Sequence, residues 1–537
     1  MVNKILIVGG GTAGWLTAAF LARSLKSKPD CGMQITLVES KEIGIVCVGE
    51  GSSPSIRSTL AAIGIDEAHF IRECNATFKQ GVNFVDWLRP KDGLTEQERH
   101  CYFHPFNLPS QRPDGPELLP YWLLGVADKS VGYKIPFAEA VTMQKKITDA
   151  AYGPKRSADD DFIGSMNYAY HFDAGRFAAL LCEHAKSLGV QHIQANVDRV
   201  ELEEDGAIQS VVTSEFGKLQ ADLYIDCSGF RARLIGEALD SPFKNLNDTL
   251  FADRALTVQV PYPGHAVDDD IPSYTKATAQ EAGWTCDIGL QERRGVAYLF
   301  SSRHSGDEQA EQVLRSYLSS TNGTRDGTHI NDAYPRLHKF NVGYRETPWI
   351  KNCVAVGLSG GFLEPLESSG LGLIETAAYT INHLMPHDGD FASAAKSFNE
   401  LMKTRYERTV DFLKLHYCLS QRTDSQFWID NVNPNSIPDS LHDKLAMWRS
   451  RPPHLSDFVA DLDMYPASSW QYVLYGMEFH TDLSANHTHL SRADEAAKEF
   501  RLIQKLAPHA LTDLPKHRAL VQYFVRNKSV FPREAFS

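Results

Sequence analysis

The chain lacks the sequence features that mark several large classes of protein. Its 537 residues carry a net charge of −13, which disfavours nucleic acids and anionic membranes as partners, because both are held by Lys and Arg that neutralise phosphates. Its nine cysteines are scattered and contain no Cys-x-x-Cys pair, which argues against a disulfide framework and a zinc site. The twenty histidines show no His-Glu-x-x-His spacing, so we predict no metal site.

The start of the chain also lacks a secretion signal and a membrane span. The run Met1–Val8 has one charge and only a short apolar stretch before the first glycines, which is too short to cross a bilayer. Repeats and low-complexity tracts are missing as well. We therefore expect a cytoplasmic protein with reduced thiols, no membrane association and a small, neutral partner.

A dinucleotide-binding pattern opens the chain. It begins with a strand at Lys4–Val8 and a loop that contains Gly9, Gly11 and Gly14. A helix at residues 15–22 follows, and then a second strand at residues 34–38 that ends on the acid Glu39. The first glycine allows a tight turn, the second lets the backbone approach a pyrophosphate, and the third lets helix and strand pack closely. Amides at the helix start face the phosphate, and the acid hydrogen-bonds a ribose hydroxyl. The pattern leaves FAD and NAD open, but a single fingerprint disfavours a reductase that binds its own nicotinamide beside a flavin.

The remaining pattern predicts an α/β fold. Residues 221–226 and 352–357 are apolar and break at glycine, so we expect them in the same sheet as the first strand. Residues 250–305 alternate apolar and polar side chains like antiparallel strands, and we expect 85–165 to belong to the same substrate-side sheet. From about residue 392 the apolar residues recur with a helical period. The fold class is therefore a Rossmann-type module with an inserted β-rich region and a helical C-terminal part.

Five further blocks carry chemistry-bearing residues in a fixed order. They are residues 48–56, 78–81, 226–230, 364–370 and 470–477. Together with the loop at 9–15, these blocks resemble the flavin-dependent halogenase family, in its tryptophan-halogenase branch. Several ordered blocks are far more specific than one glycine loop, and the resemblance covers most of the chain.

The resemblance implies an FADH2-dependent halogenase. In this family a separate NAD(P)H flavin reductase supplies FADH2, which reacts with O2 to a C4a-hydroperoxide that chloride or bromide attacks. The hypohalous acid then travels through a tunnel to the position of Lys79 and halogenates an electron-rich, indole-like ring. FAD, halide, O2, the reductase and a small aromatic substrate are therefore the expected cofactor, co-substrates and partners, and a homodimer is left open.

Lys79 and Glu367 are the expected catalytic residues. A lysine removed from water loses stability in its charged form, so a neutral amine becomes accessible. As an ammonium it could instead donate a hydrogen bond to hypohalous acid, and the sequence leaves both roles open. Glu367 can polarise the oxidant or accept the proton of the cationic arene. Alone, either short motif is more typical of a solvated turn or a cap.

The resemblance also assigns binding residues. Ser369 and Gly370 match positions whose backbone amides hold the halide, and a glycine-containing bend is a reasonable anion nest. Around the substrate we expect His104, Phe106, Ser368 and Tyr465. Around the flavin we expect Gly9, Gly11, Thr12, Ala13, Gly14, Glu39, Val48, Val197, Leu358 and Leu371. Val197, Leu358 and Leu371 could equally be plain core residues.

Two departures from the family affect the substrate side. Where the family has Trp-x-Trp-x-Ile-Pro, residues 284–289 carry Cys286 and Gly289 at the second Trp and the Pro. Losing an indole opens volume, and glycine loosens the backbone. Residues 460–469 lack a match to those that clasp the amino-acid end of tryptophan, so we expect indole-like or larger aromatics instead. A flavin-dependent aromatic monooxygenase and a flavin-binding protein without turnover therefore remain alternatives.

The expected domain organisation follows from these assignments. Residues 1–400 form a FAD-binding module with interleaved substrate-side insertions at about 85–165 and 250–340. Residues 401–537 form a mainly helical substrate-side region that is not independent.

Overall fold

The computed structural model of the chain describes residues 2–26, 33–41, 49–91, 93, 95, 98–262, 270–321, 334–386, 388–459, 462–484 and 490–527. The strands within these residues, numbered in chain order, are β1 (Lys4–Val8), β2 (Gln34–Glu39), β3 (Glu50–Gly51), β4 (Thr77–Lys79), β5 (Gly81–Val85), β6 (Cys101–Pro105), β7 (Ala169–Phe172), β8 (Gln191–Gln194), β9 (Val197–Leu202), β10 (Ile208–Thr213), β11 (Gly217–Leu219), β12 (Leu223–Asp226), β13 (Phe243–Asn245), β14 (Arg254–Pro261), β15 (Thr275–Gln280), β16 (Gly283–Gly289), β17 (Arg293–Phe300), β18 (Arg336–Lys339), β19 (Gly343–Arg345), β20 (Trp349–Ile350), β21 (Cys353–Ala355) and β22 (Gly361–Phe362).

The α-helices of the same residues are α1 (Thr12–Lys26), α2 (Ser55–Ile63), α3 (Glu67–Glu73), α4 (Leu118–Leu123), α5 (Val126–Val131), α6 (Phe137–Val141), α7 (Gln144–Asp149), α8 (Ala174–Ser187), α9 (Asp307–Thr321), α10 (Ser369–Leu384), α11 (Ala392–Cys418), α12 (Gln426–Asn431), α13 (Asp439–Trp448), α14 (Ala467–Gly476), α15 (Ala493–Asp513) and α16 (His517–Arg526). Among the described residues, no helix combines the length and apolar character that a bilayer crossing requires.

The first sheet is the predicted Rossmann-type sheet. Its six strands run in the order β20-β21-β12-β1-β2-β8, and β1 pairs in parallel with both β2 and β12. Four of the five residues of β1 are buried, as expected for a parallel strand covered on both faces. The prediction that residues 221–226 and 352–357 extend this sheet is confirmed, since β12 and β21 lie side by side in it.

The second sheet is the predicted substrate-side sheet. Its seven strands run in the order β18-β14-β17-β16-β15-β5-β6, so the antiparallel reading of residues 250–305 is confirmed. The expectation that residues 85–165 belong to this sheet was wrong for all but one strand, β6. The rest of that segment forms the short helices α4 to α7, because its apolar residues cluster at helical spacing, as in the buried pair Leu118 and Tyr121.

A small third sheet carries the predicted catalytic lysine. Strand β7 lies in its centre and pairs antiparallel with β3 on one side and β4 on the other. Lys79 is the last residue of β4, and β5 of the large sheet begins two residues later. The predicted helical C-terminal part is present as α11 to α16, although α11 runs continuously through the predicted boundary after residue 400.

Candidate active site

Lys79 is buried where the small sheet meets the helix α10. Its side-chain amine donates one hydrogen bond to the carbonyl oxygen of Ser52 (3.2 Å) and another to Ser368 Oγ (2.7 Å). The ring centroid of Phe106 lies 5.3 Å from Nζ. The residue as a whole is 1% exposed. The structure therefore brings the predicted catalytic lysine together with two predicted substrate residues.

The electrostatic surroundings of Lys79 favour loss of its proton. Burial lowers the pKa of Lys79 to about 8, although the negative charge of Glu367 acts in the opposite direction. A neutral amine is therefore more accessible at this position than for a lysine in water. The ammonium remains the main form at neutral pH, and both roles considered for Lys79 are accessible.

Glu367 lies in the short connection between β22 and α10, with its carboxylate inside the protein. Its Oε1 atom lies 2.8 Å from His104 Nδ1 and 3.1 Å from His416 Nε2. Burial opposes ionisation, but the charge and hydrogen bonds of His104 and His416 lower the pKa of Glu367 to about 2. Glu367 is therefore a carboxylate at neutral pH.

Two more predicted substrate residues contact this carboxylate or its backbone. His104, on β6, directs Nε2 to Ser469 Oγ at 2.9 Å. Tyr465 donates its hydroxyl to the main-chain carbonyl oxygen of Glu367 (3.2 Å) and stacks on Phe412 with a centroid distance of 4.0 Å. His104, Phe106, Ser368 and Tyr465 thus all lie around the Lys79 and Glu367 side chains.

His416 and Ser52 hydrogen-bond the predicted catalytic residues, and Ser469 hydrogen-bonds His104. All three were missed by sequence reasoning. His416 sits on α11 between buried neighbours, and its ring lies 4.9 Å from that of Phe84 and 5.1 Å from that of Phe412. A histidine inside the apolar face of a helix was the one available signal. It does not identify a partner 49 residues away.

A second buried carboxyl group lies three residues before Glu367. Glu364 Oε2 accepts hydrogen bonds from Tyr417 OH (2.7 Å) and Trp284 Nε1 (3.2 Å). Burial raises the pKa of Glu364 to about 7, against those two hydrogen bonds. Trp284 is the first residue of the altered tryptophan motif, so this motif is tied to the Glu364–Glu367 segment.

The altered motif forms strand β16. Burial raises the pKa of the Cys286 thiol to about 12, while the charge of Lys79 lowers it, so Cys286 is a neutral thiol near Lys79. The expectation that Gly289 loosens the backbone was wrong. Gly289 pairs with Arg294 in the sheet, and a Cβ atom there would lie 2.6 Å from Ile271 Cγ2, so the position is closely packed.

The predicted halide residues begin a long helix. Ser369 and Gly370 are the first residues of the 16-residue helix α10, and Ser368 before them has a left-handed backbone with φ of 59°. The expected glycine bend is therefore a helix N-terminus, where unpaired amides and the helix dipole favour an anion. A Cβ atom at Gly370 would meet no atom within 4 Å, which leaves room beside these amides.

The glycine loop has the shape that a pyrophosphate requires. Gly9 has φ of +117°, and side chains at Gly9 and Gly14 would overlap Cys227 and Gly9 backbone atoms, respectively. A Cβ at Gly11, by contrast, would meet no atom within 4 Å. The open side at Gly11 faces the start of α1, whose first residues are Thr12 and Ala13. These residues fit a dinucleotide phosphate.

The remaining predicted flavin residues lie in several different elements of the fold. Glu39 ends β2, and its Oε1 atom lies 2.8 Å from His192 Nε2 at the border of an open surface depression. The turn that contains the 40% exposed Leu358 packs on Ala13. Leu371 is buried in α10, and Val197 is half-buried in β9. Val48 lies outside the described residues.

Comparisons with known proteins give similarity over nearly the full chain. The family model described as tryptophan halogenase matches residues 4–493. The tryptophan 6-halogenase of Streptomyces toxytricini is 33% identical over 533 residues, covering 96% of each chain. The crystal structure of a tryptophan halogenase from Shewanella frigidimarina has a TM-score of 0.90 at 39% identity, covering 98% of both chains. A flavin-dependent halogenase from Brevundimonas sp. BAL3 has a TM-score of 0.83 at 30% identity, covering 98% of this chain and 99% of that one.

Proposed function

The chain belongs to the tryptophan halogenase family, and from this premise we propose that it uses FADH2, O2 and chloride or bromide to halogenate an electron-rich, indole-like ring through Lys79 and Glu367. One observation carries the assignment of these two residues. Lys79 and Glu367 are both almost fully buried, and Ser368, which follows Glu367 directly, hydrogen-bonds the Lys79 amine.

The reduced flavin at the glycine loop supplies, with O2, the two-electron oxidation of halide to hypohalous acid. The start of α10 is suited to hold the halide, because amides at a helix N-terminus attract anions. We assign this role to the backbone of Ser369 and Gly370. The side chain of Ser368 then links this anion site to Lys79 through a single hydrogen bond.

Lys79 is suited to hold hypohalous acid. As an ammonium it has three N–H donors, of which two point to Ser52 O and Ser368 Oγ. The third is available for the oxygen of hypohalous acid, and its proton can leave with that oxygen as water. In the neutral form, the same nitrogen offers a lone pair for a haloamine.

Glu367 is suited to take the proton that the ring loses. Among the described residues, hydrogen bonds from His104 and His416 reach Oε1, and none reaches Oε2. Oε2 is thus left for the substrate. Transfer of the halogen from HOX forms the carbon–halogen bond, water leaves, and the displaced ring proton passes to Glu367. Even a weakly basic carboxylate accepts a proton from so acidic a cation.

The substrate pocket favours an aromatic ring without an amino-acid group. The rings of His104 and Phe106 supply flat, apolar surface. The hydroxyl of Tyr465 donates its only hydrogen to the Glu367 carbonyl oxygen, so it has none left to donate to a carboxylate. We therefore expect kcat/KM for indole to exceed that for free tryptophan, and a higher value for tryptophan would contradict this pocket assignment.

Product analysis tests the proposed function. The protein is supplied with FADH2 by an added flavin reductase, together with bromide or chloride and indole, and the products are analysed by mass spectrometry. We expect a halogen isotope pattern in the indole product. A hydroxylated product that forms without halide would establish the monooxygenase alternative. Bound flavin with no product would establish a flavin-binding protein without turnover.

The electrons come from a separate protein in this proposal. The chain carries one dinucleotide fingerprint, which the flavin uses, so a diffusing FADH2 from an NAD(P)H flavin reductase is the simplest source. We propose a cytoplasmic location for the protein, since the NAD(P)H that the reductase needs is made there.

A further inference from the structure

We propose that His416 is a positioning residue for halogenation, which shares one proton with Glu367 at rest and lets the pair hold a second proton when the ring is deprotonated. The inference rests on the proposed function, because it concerns the fate of the ring proton. It assigns a role to a residue that no motif of the sequence marks.

The hydrogen bonds of the His416 ring fix its proton count. Nδ1 lies 2.9 Å from the main-chain oxygen of Phe412, which can only accept, so Nδ1 carries a hydrogen. Nε2 lies 3.1 Å from Glu367 Oε1, and this contact also needs one hydrogen. With Glu367 as a carboxylate, that hydrogen lies on the His416 side of the contact. His416 and Glu367 thus share a single proton.

His104 contacts the same carboxylate oxygen but does not need an extra proton. Its Nδ1–H donates to Glu367 Oε1 at 2.8 Å, and its Nε2 accepts from the hydroxyl of Ser469 at 2.9 Å. A neutral imidazole satisfies both contacts, because Ser469 can donate. The two histidines are therefore not equivalent, and only His416 faces acceptors on both sides.

The surroundings keep the shared proton from exchanging easily with water. The side chains of His416 and Glu367 are 0% and 1% exposed, and Phe84, Trp87 and Phe412 pack around the imidazole. The titratable groups that face the pair are Lys79 from β4, Tyr102 and His104 from β6, and Tyr465 from the segment before α14. Burial raises the pKa of Tyr102 and Tyr465 well above their usual range, so neither tyrosine supplies a negative charge.

The proton balance of the last step follows from this arrangement. The ring C–H bond breaks, its electron pair restores the aromatic ring, and the proton passes to Glu367 Oε2. The proton shared between Oε1 and Nε2 then resides on Nε2, so the pair holds two protons. One of them returns to water when the halogenated product leaves. Without His416, the buried carboxylate loses a cationic partner and its pKa rises. A larger fraction of Glu367 is then already protonated and cannot accept the ring proton.

The substitution His416→Gln tests this role, since glutamine can donate to Glu367 but cannot hold an additional proton. With indole deuterated on the ring, we expect the isotope effect on halogenation to rise from near 1 to about 2 or more, because ring deprotonation becomes slow. Halogenated product should fall by about tenfold or more, and the acid limb of its pH–rate profile should move to higher pH. His304→Gln is the matched control, since the His304 side chain is only 4% exposed and pairs with Asp430 at 2.9 Å outside this site.

The outcomes separate this inference from the proposed function. If the unsubstituted protein makes no halogenated indole, the proposed function fails. If it halogenates and His416→Gln keeps its isotope effect and acid limb, the inference is overturned. One measurement needs no variant: in the unsubstituted protein the isotope effect should rise as pH falls through the acid limb, and a constant value there would also overturn the inference.

Discussion

At the scale of single residues, local patterns identify groups but not their partners. Lys79 and Glu367 were predicted from ordered blocks that resemble the halogenase family. Both are buried, and Ser368, next to Glu367, hydrogen-bonds the Lys79 amine. His416 was missed, because its role depends on a contact between α11 and a loop far away in the sequence. Sequence periodicity shows that a side chain is buried, and it cannot show which atom the side chain meets.

Gly289 also shows that the sequence does not reveal which atoms surround a residue. The sequence suggests added freedom, whereas the space beside Gly289 is filled by Ile271, which is 1% exposed. We expect Gly289→Ala to lower the free energy of unfolding by about 1–3 kcal/mol, because a well-packed strand must shift to accept a methyl group. Denaturant titration measures this change.

Gly306→Ala is the control for that measurement. A Cβ atom at Gly306 would meet no atom within 4 Å, so its cost should stay below about 1 kcal/mol. Equal losses for the two variants would contradict the packing argument for Gly289.

At the scale of elements, the best predictions concern units whose chemistry is local. The β1–loop–α1 unit was predicted from consecutive residues, and its glycines have the expected steric roles. The segment 85–165 was misassigned, because short apolar clusters fit strands and helices alike when tertiary packing is unknown. Likewise, the start of α10 looked like a bend, since its first residues, Ser369 and Gly370, are weak helix formers.

The glycine loop allows a prediction that separates folding from cofactor binding. Gly11→Val adds a side chain only where the loop is open, so the melting temperature of the flavin-free protein should stay within a few degrees. The dissociation constant for FAD should rise by about tenfold or more, or roughly 1.4 kcal/mol. Fluorescence titration with FAD measures this.

Gly14→Val is the comparison for the glycine loop. A side chain at Gly14 would overlap the carbonyl oxygen of Gly9, so this variant should lose stability before any question of binding arises. If Gly11→Val binds FAD as tightly as the unsubstituted protein does, the loop does not hold the pyrophosphate.

At the scale of the whole molecule, the site exists because distant segments meet. Lys79 comes from the small sheet, Glu367 from the connection into α10, His104 from the large sheet, and His416 and Tyr465 from the C-terminal part. The fold class was predictable, because hydrophobic patterns specify sheets and helices. The shape of the proposed substrate site was not predictable, because the residues around it come from different elements that meet only in the folded chain.

The role of Lys79 is the central claim, and the yield of halogenated indole per FADH2 consumed tests it most directly. Lys79→Met keeps the length and apolar stem of the side chain but removes the amine. Lys145→Met is the matched control, since Lys145 also lies over an aromatic ring, that of Phe103 at 5.9 Å. We expect Lys79→Met to bind FAD and oxidise FADH2 while its product yield falls at least about a hundredfold, with Lys145→Met unchanged. A Lys79→Met variant that halogenates indole at the unsubstituted yield would contradict the account.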